Sequence, residues 1–275
     1  MRILALCSLL FCAPLQPAFA HEFWIEPVAW QMPAQATIVA RLVNGQNFGG
    51  TEIAYFPGRF SMFTVAWQDQ LADVAGRPGD RPALNAPTLG EGLHRLSYVA
   101  TNNTISYDSW EKFARFAAHK DFDDIEARHQ ARDLPEADFS EVYSRYCRAL
   151  FAVGDGYGDD APSGMETEIV ALDNPFEAVN RGAATIRVQI FYQGQPRHGA
   201  QLELFEKPLD GSAEATITLH RADENGIATL PVRPGYAYLA DAVVLRIPAP
   251  ALAEQSSAVW ETLWASLTFA LPAAQ

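Results

Sequence analysis

The chain has 275 residues, 49% hydrophobic and 19% charged. That is enough apolar material for one large packed domain or two ordinary ones, and it excludes a wholly disordered or coiled-coil protein. Lys and Arg number 20 against 33 Asp and Glu, a formal net charge of -13. Such a balance offers no basic face to nucleic acid or to an anionic membrane, while it suits metal cations or cationic partners.

Met1 to Ala20 reads as a secretory signal peptide: Arg2, an apolar run from Ile3 to Ala13, breaks at Pro14 and Pro17, and Ala18-Phe19-Ala20 before the cleavage point. The run is too short to span a bilayer. Phe11 before Cys12 argues against a lipid anchor. The expected product is a periplasmic protein, with no membrane insertion after cleavage, that begins at His21. Cys7 and Cys12 leave with the leader, so Cys147 has no internal disulfide partner.

From His21 to Tyr107, short alternating runs lie between turn residues. Thr37 to Val43, Phe60 to Trp67 and Leu93 to Ala100 are strand candidates, with Asn44-Gly45, Gly49-Gly50, Pro57-Gly58 and Pro78-Gly79 as punctuation. The segment 108–151 is expected to be helical. Asp108 or Ser109 can cap a helix through Trp110, Phe113 and Phe116. Farther on, Phe139, Val142, Tyr143, Tyr146, Cys147 and Leu150 recur at three- and four-residue steps, with Arg145 and Arg148 elsewhere on the circumference. On that face Cys147 is a small core residue rather than a nucleophile. A Gly-rich linker occupies 152–165.

Beyond it, 166–275 holds six or seven strand candidates: Glu166 to Leu172, Ala184 to Tyr192, Ala200 to Glu206, Ala215 to His220, Ile227 to Pro231, Tyr236 to Arg246 and Trp260 to Leu271. The fold class expected is mainly β: two antiparallel β-sandwich-like domains, the second immunoglobulin- or transthyretin-like, with a helical segment between them.

Candidate chemistry centres on His21. A mature N-terminal His offers its α-amine and an imidazole nitrogen, which together close a chelate ring on Ni, Co or Cu. His94 and His220 lie in strand candidates from which either can turn inward to meet it. His119 and His129 fit a solvated helix face, and His198 an exposed turn. Asp155, Asp159 and Asp160 lack the spacing of an EF-hand loop and read as an acidic linker. Glu22, Glu26, Glu166 and Glu168 read as solvated surface charge. No nucleophile elbow, P-loop or dinucleotide fingerprint is present, and an enzyme is not expected.

The start His-Glu-Phe-Trp-Ile-Glu-Pro (21–27) and the end Trp-Glu-Thr-Leu-Trp-Ala-Ser-Leu-Thr-Phe (260–269) resemble the exported bacterial family called domain of unknown function 4198. Gly45-Gln46-Asn47-Phe48, the block 143–150 and the block 168–176 resemble further blocks of that family in the same order. The resemblance implies a periplasmic component of nickel or cobalt uptake, with a metal-uptake transporter or outer-membrane receptor as partner. Two departures stand out: many family members carry His where this chain has Gln46, and His in the strand where it has Ala242-Val243-Val244-Leu245. The leading expectation is a periplasmic transition-metal binding or uptake accessory protein with metal ligands His21, His94 and His220. Alternatives are a non-metal interaction module contacting a receptor or carbohydrate, and an oxidative copper enzyme with a histidine brace.

Overall fold

A computed structural model describes residues 21–273; the expected leader lies outside them. In chain order the first half contains β1 (Glu22–Pro27), β2 (Gln31–Met32), β3 (Thr37–Gln46), β4 (Gly49–Ile53), β5 (Phe60–Trp67), β6 (Gln70–Asp73), β7 (Leu84–Pro87), β8 (Gly92–Ala100) and β9 (Asn103–Tyr107). Helices α1 (Trp110–His119) and α2 (Ile125–Gln130) lead into β10 (Phe139–Val153). The second half contains β11 (Thr167–Ala171), α3 (Pro175–Asn180), β12 (Thr185–Tyr192), β13 (Gln195–Pro196), β14 (Gln201–Pro208), β15 (Thr216–Arg221), β16 (Ile227–Pro231), β17 (Tyr236–Arg246), α4 (Pro250–Ser256) and β18 (Ala258–Leu271). The protein is mainly β, and its strands fall close to the alternating runs between Gly, Pro and Asn turns.

A ten-stranded sheet forms the spine, in the order β15-β14-β17-β18-β10-β8-β5-β6, with β2 and β9 also pairing β10. At its middle β10 and β18 pair in parallel, Arg145 opposite Trp264 and Cys147 opposite Ser266. The two expected sandwiches therefore share one sheet instead of standing as separate units. Their joint buries both faces of both central strands.

That burial explains the chief correction to the sequence reading. Phe139 to Leu150 is a strand, not a helix. Apolar side chains here point to both faces, as in centrally buried strands, so the period of two is erased and three- and four-residue spacings arise by coincidence. The helical expectation holds only for its first part, where α1 buries Phe113, Phe116 and Ala117.

Side chains alternate across the spine. One face carries Arg145, Cys147, Ala149, Phe151, Trp264, Ser266, Asp241 and Glu203, as the registers of β10, β18, β17 and β14 require. Part of this face is covered by a small sheet of β1, β3, β4 and β7, which contributes Ile25, Ile38 and Leu42 to a core with Phe63, Leu96 and Phe151. Another part is covered by α1 and α2, packed on Trp260 and Trp264. The opposite face, carrying Leu202, Tyr238, Leu267 and Phe269, packs on the sheet of β11, β12, β13 and β16.

The segment that brings β10 to β11 is held by a buried ion pair. Arg148 is fully buried; it donates to both carboxylate oxygens of Asp160 at 3.1 and 2.6 Å and to the carbonyls of Ile169 and Ala161 at 2.7 and 2.6 Å. Asp160 also accepts from Ala171 N at 2.9 Å. It is a structural counter-ion inside the protein, not part of a solvated acidic linker. Among the described residues no helix is long and apolar enough to cross a membrane.

Candidate functional site

β1 pairs with β3 on one edge only, with Glu22 opposite Gly45 and Pro27 opposite Ala40. Its other side rests on small residues of the spine. Cys147 Sγ donates to Phe23 O at 3.3 Å, Ser266 Oγ to the same carbonyl at 3.0 Å, and Thr268 Oγ1 to Ile25 O at 2.6 Å. Small polar side chains permit the close approach and satisfy the carbonyls that an edge strand leaves open. Cys147 is thus a core residue, as expected, although on a strand, and burial pushes its thiol up to about 12. Trp24, fully buried, packs against Phe48 with ring centroids 5.4 Å apart. Phe48 closes the β3–β4 turn with Asn47, at φ of 56° and 53°. Gly45 and Gly50 face each other across this hairpin. A Cβ on Gly45 would lie 2.0 Å from Gly49 O, so the close approach requires glycine.

This anchoring places His21 at the rim of a cleft of about 360 Å³, which is lined also by Asn44, Tyr107, Lys112, Glu141, Tyr143, Arg145 and Trp264. His21 is exposed, whereas Glu22 beside it is buried with Oε2 lacking a hydrogen-bond partner among the described residues. Burial, reinforced by the nearby Asp241 charge and opposed by Lys120, pushes the Glu22 carboxyl up to about 7. The surface-charge expectation for Glu22 is therefore corrected: β1 carries it under the rim. Glu168 is likewise buried, accepting from Ser163 N and Gly164 N at 2.7 and 3.0 Å. Glu26 accepts from Trp24 Nε1, and Glu166 pairs with Arg246.

Beneath Glu22 lies a buried charge cluster. Lys120 Nζ contacts Glu203 Oε2 at 2.6 Å and Asp241 Oδ2 at 2.9 Å, and lies 4.8 Å from the Trp264 ring centre. His119 Nε2 is 2.7 Å from Glu203 Oε1. Burial alone would lower the Lys120 pKa, but Asp241 and Glu203 raise it above the ordinary lysine value. Burial holds Asp241 above the usual carboxylate range despite Lys120; burial pushes Glu203 the same way, but His119 and Lys120 together outweigh it and hold Glu203 below that range. Glu141 accepts from Tyr107 Oη at 2.8 Å and from Thr262 Oγ1. Burial pushes its carboxyl up to about 7 against the opposing pull of Thr262, Tyr107 and Arg145.

The other two expected metal ligands are not brought to His21. His94 shares the face of Arg145 but pairs with Phe151, six residues further along β10, which is about 20 Å at strand rise. It is fully buried, with Nδ1 3.1 Å from Gly92 O and Nε2 accepting from Leu89 N at 3.3 Å. Its ring lies between Trp67 and Phe151, and burial lowers its pKa. Both nitrogens are used, so it is a satisfied core histidine. His220 pairs with Leu202 and so projects from the opposite face of the spine, where Nε2 is 2.9 Å from Thr218 Oγ1.

His129 is also corrected. Far from being solvated, it is buried, with Nε2 3.0 Å from Pro135 O and Nδ1 accepting from Trp260 Nε1 at 3.0 Å. His198 is exposed, as expected. Among the described residues no group of three or more His, Cys, Asp or Glu side chains is arranged to hold a metal ion.

The register gives the family departures a geometry. Glu22 opposite Gly45 sets Gln46 across from His21, so a His in that loop would stand next to His21. Val243 sits on the face of Trp264 and Arg145, while Val244 turns to the other face.

Fold and site together define a layered β protein whose N-terminal strand is laid over a central sheet and presents its first histidine to a cleft of aromatic and cationic side chains. The chain belongs to the family described as domain of unknown function (DUF4198), whose model matches residues 18–245. No curated protein matches the sequence. Among solved structures it is similar to a point mutant of Salmonella alpha-2-macroglobulin, at 13% identity and TM-score 0.23, over 91% of this chain and 15% of that one. Trypsin-activated alpha-2-macroglobulin from Escherichia coli gives 10% identity and TM-score 0.22, over 92% and 16%. The Yersinia pseudotuberculosis adhesin InvE gives 12% and 0.19, over 91% and 58%. The chain thus spans about a sixth of the length of the macroglobulins, and at these scores the likenesses carry no argument about function.

Proposed function

We propose that the exported protein is a periplasmic binding or uptake accessory protein for a transition-metal ion, Ni²⁺, Co²⁺ or Cu²⁺, which His21 chelates through its α-amine and imidazole. The observation that carries this reading is the placement of His21: it is exposed at the rim of a cleft, at the head of a strand that is otherwise largely buried. Two nitrogens from one residue, without the expected help of His94 or His220, leave most of the coordination sphere open. An open site suits cargo that is picked up and passed on, to a metal-uptake transporter or outer-membrane receptor, better than it suits a closed structural ion. It also counts against the copper-enzyme alternative, because neither His94 nor His220 supplies the second histidine of a brace.

Calorimetric titration of the chain beginning at His21 with Ni²⁺, Co²⁺ and Cu²⁺ tests the reading. The His21→Ala variant is expected to bind at least tenfold more weakly; equal binding by both proteins overturns it. A second reading, a module that contacts a partner protein without metal, is favoured by β15. This edge strand of the large sheet leaves Ile217 44% and Leu219 60% exposed. A periplasmic partner retained in the presence of chelator would support it.

A further inference from the structure

Arg145 is a buried cation without a direct ion pair. It is only 7% exposed, its Nη1 is buried without a hydrogen-bond partner, and although the Asp241 and Glu141 charges act on it, no described carboxylate reaches ion-pair distance. Its guanidinium lies 4.3 Å from the Trp264 ring centre and 5.2 Å from that of Tyr143, contacts that hold it in place without using its N–H donors in an ion pair. Burying a charge without a partner is costly in general, so a ligand that completes the pair gains what the free protein lacks.

Two clefts meet at this residue. The one rimmed by His21 also holds Lys112; the neighbouring one, of about 410 Å³, holds Arg59, and both share Asn44, Tyr143 and Arg145. Three cations therefore line these two adjoining clefts, together a trough, on a chain whose net charge is -13. The carboxylate lining the same trough, Glu141, has its oxygens engaged by Tyr107 and Thr262. Lys112 Nζ is bonded to the exposed Asp108 at 2.7 Å and remains at the rim.

We infer that the trough binds a small organic acid bearing two or three carboxylates, with Arg145 making the central, bidentate contact and Lys112 and Arg59 meeting the outer carboxylates. Guanidinium and carboxylate match as planar forks, and contact with Trp264 and Tyr143 holds the guanidinium in place for that pairing. Such an acid reaches the cleft from two sources: as the free anion, or as the carrier of the metal ion proposed for His21, filling the coordination positions that His21 leaves open. Only the second source rests on the metal-binding reading; the first stands on Arg145 alone.

Citrate is a suitable probe. It is titrated calorimetrically into the chain beginning at His21, once after removal of all metal and once as the 1:1 Ni²⁺ complex. In the metal-free arm, the wild type and His21→Ala are expected to bind citrate alike, and Arg145→Met at least tenfold more weakly. Lys112→Ala, an exposed change that leaves the core intact, is expected to weaken binding several-fold. In the Ni²⁺ arm, binding by the wild type tighter than that of citrate alone, with the gain lost in His21→Ala, identifies the carrier source. Equal binding in the two arms identifies the free acid. No citrate binding in either arm overturns the proposal, as does affinity unchanged by both Arg145→Met and Lys112→Ala. Should Arg145→Met fail to fold, Lys112→Ala decides. Failure of His21→Ala to alter Ni²⁺ affinity, with citrate binding intact, refutes the metal reading and leaves this inference standing.

Discussion

Replacing Glu141 by glutamine is expected to remove a pH dependence from folding stability. Glu141 is buried between β9, β10 and β18, and burial raises its carboxyl from the ordinary value of 4.5 to about 7. In the unfolded chain it ionises near 4.5. Between those values the native state holds a proton that the unfolded state has lost, so the contribution of Glu141 to wild-type stability falls as pH rises from about 4.5 to about 7 and is level above that. The gap between the two values, about 2.5 on the pH scale at 1.36 kcal/mol each, amounts to about 3 kcal/mol lost across that window.

The amide of the Glu141→Gln variant does not titrate. Its carbonyl can still accept from Thr262, and its NH₂ group can donate to the Tyr107 hydroxyl. Any fixed cost of that exchange is the same at every pH. Urea unfolding of both proteins at pH 4 and pH 8 isolates the effect: the stability difference between variant and wild type moves by about 3 kcal/mol in the variant's favour toward pH 8. Glu22 is raised in the same direction but remains in both proteins and cancels. Parallel stability–pH curves for the two would refute the assignment of a raised pKa to Glu141.

Asp160→Ala strips the nearest counter-ion from the fully buried Arg148 and leaves it only Glu168, 3.6 Å from its Nε. It is expected to cost about 3–5 kcal/mol, read as a lower urea midpoint at unchanged slope, and the Arg148→Met, Asp160→Ala double variant recovers part of the loss. Gln46→His places a further imidazole across the β1–β3 pair from His21. It is expected to tighten Ni²⁺ or Cu²⁺ binding at least tenfold by calorimetry; an unchanged affinity would show that the register does not bring position 46 into the metal's reach.

Much of the secondary structure was legible from the residues. Phe60–Trp67, Ile227–Pro231 and Tyr236–Arg246 begin and end where alternation and flanking turn residues place them, because strand ends are set locally by residues that cannot continue a ladder. The first helix likewise starts after Ser109, and the start motif lies within the residues that the family model matches. The segment 139–151 was not legible. Its helix-like spacing comes from burial on both faces, which exists only once β18, more than a hundred residues later, lies alongside.

The site divides along the same line. The sequence alone marked His21 as the expected head of the mature chain, with two nitrogens that can form one chelate. It left His94 and His220 as equal candidates, since a histidine in a strand carries no mark of which face it will take. Only the tertiary structure decided that His94 spends both nitrogens in the core and that His220 projects from the far face of the spine. It also decided that Glu22, Glu141 and Arg145, ordinary charges in the sequence, are enclosed beside His21. The reason is physical: local pattern records what a residue prefers, but burial depends on what is laid over it. Here the cover over the spine is β1, held down by Ser266 and Thr268 from the opposite end of the chain, together with β9 and α1 beside it.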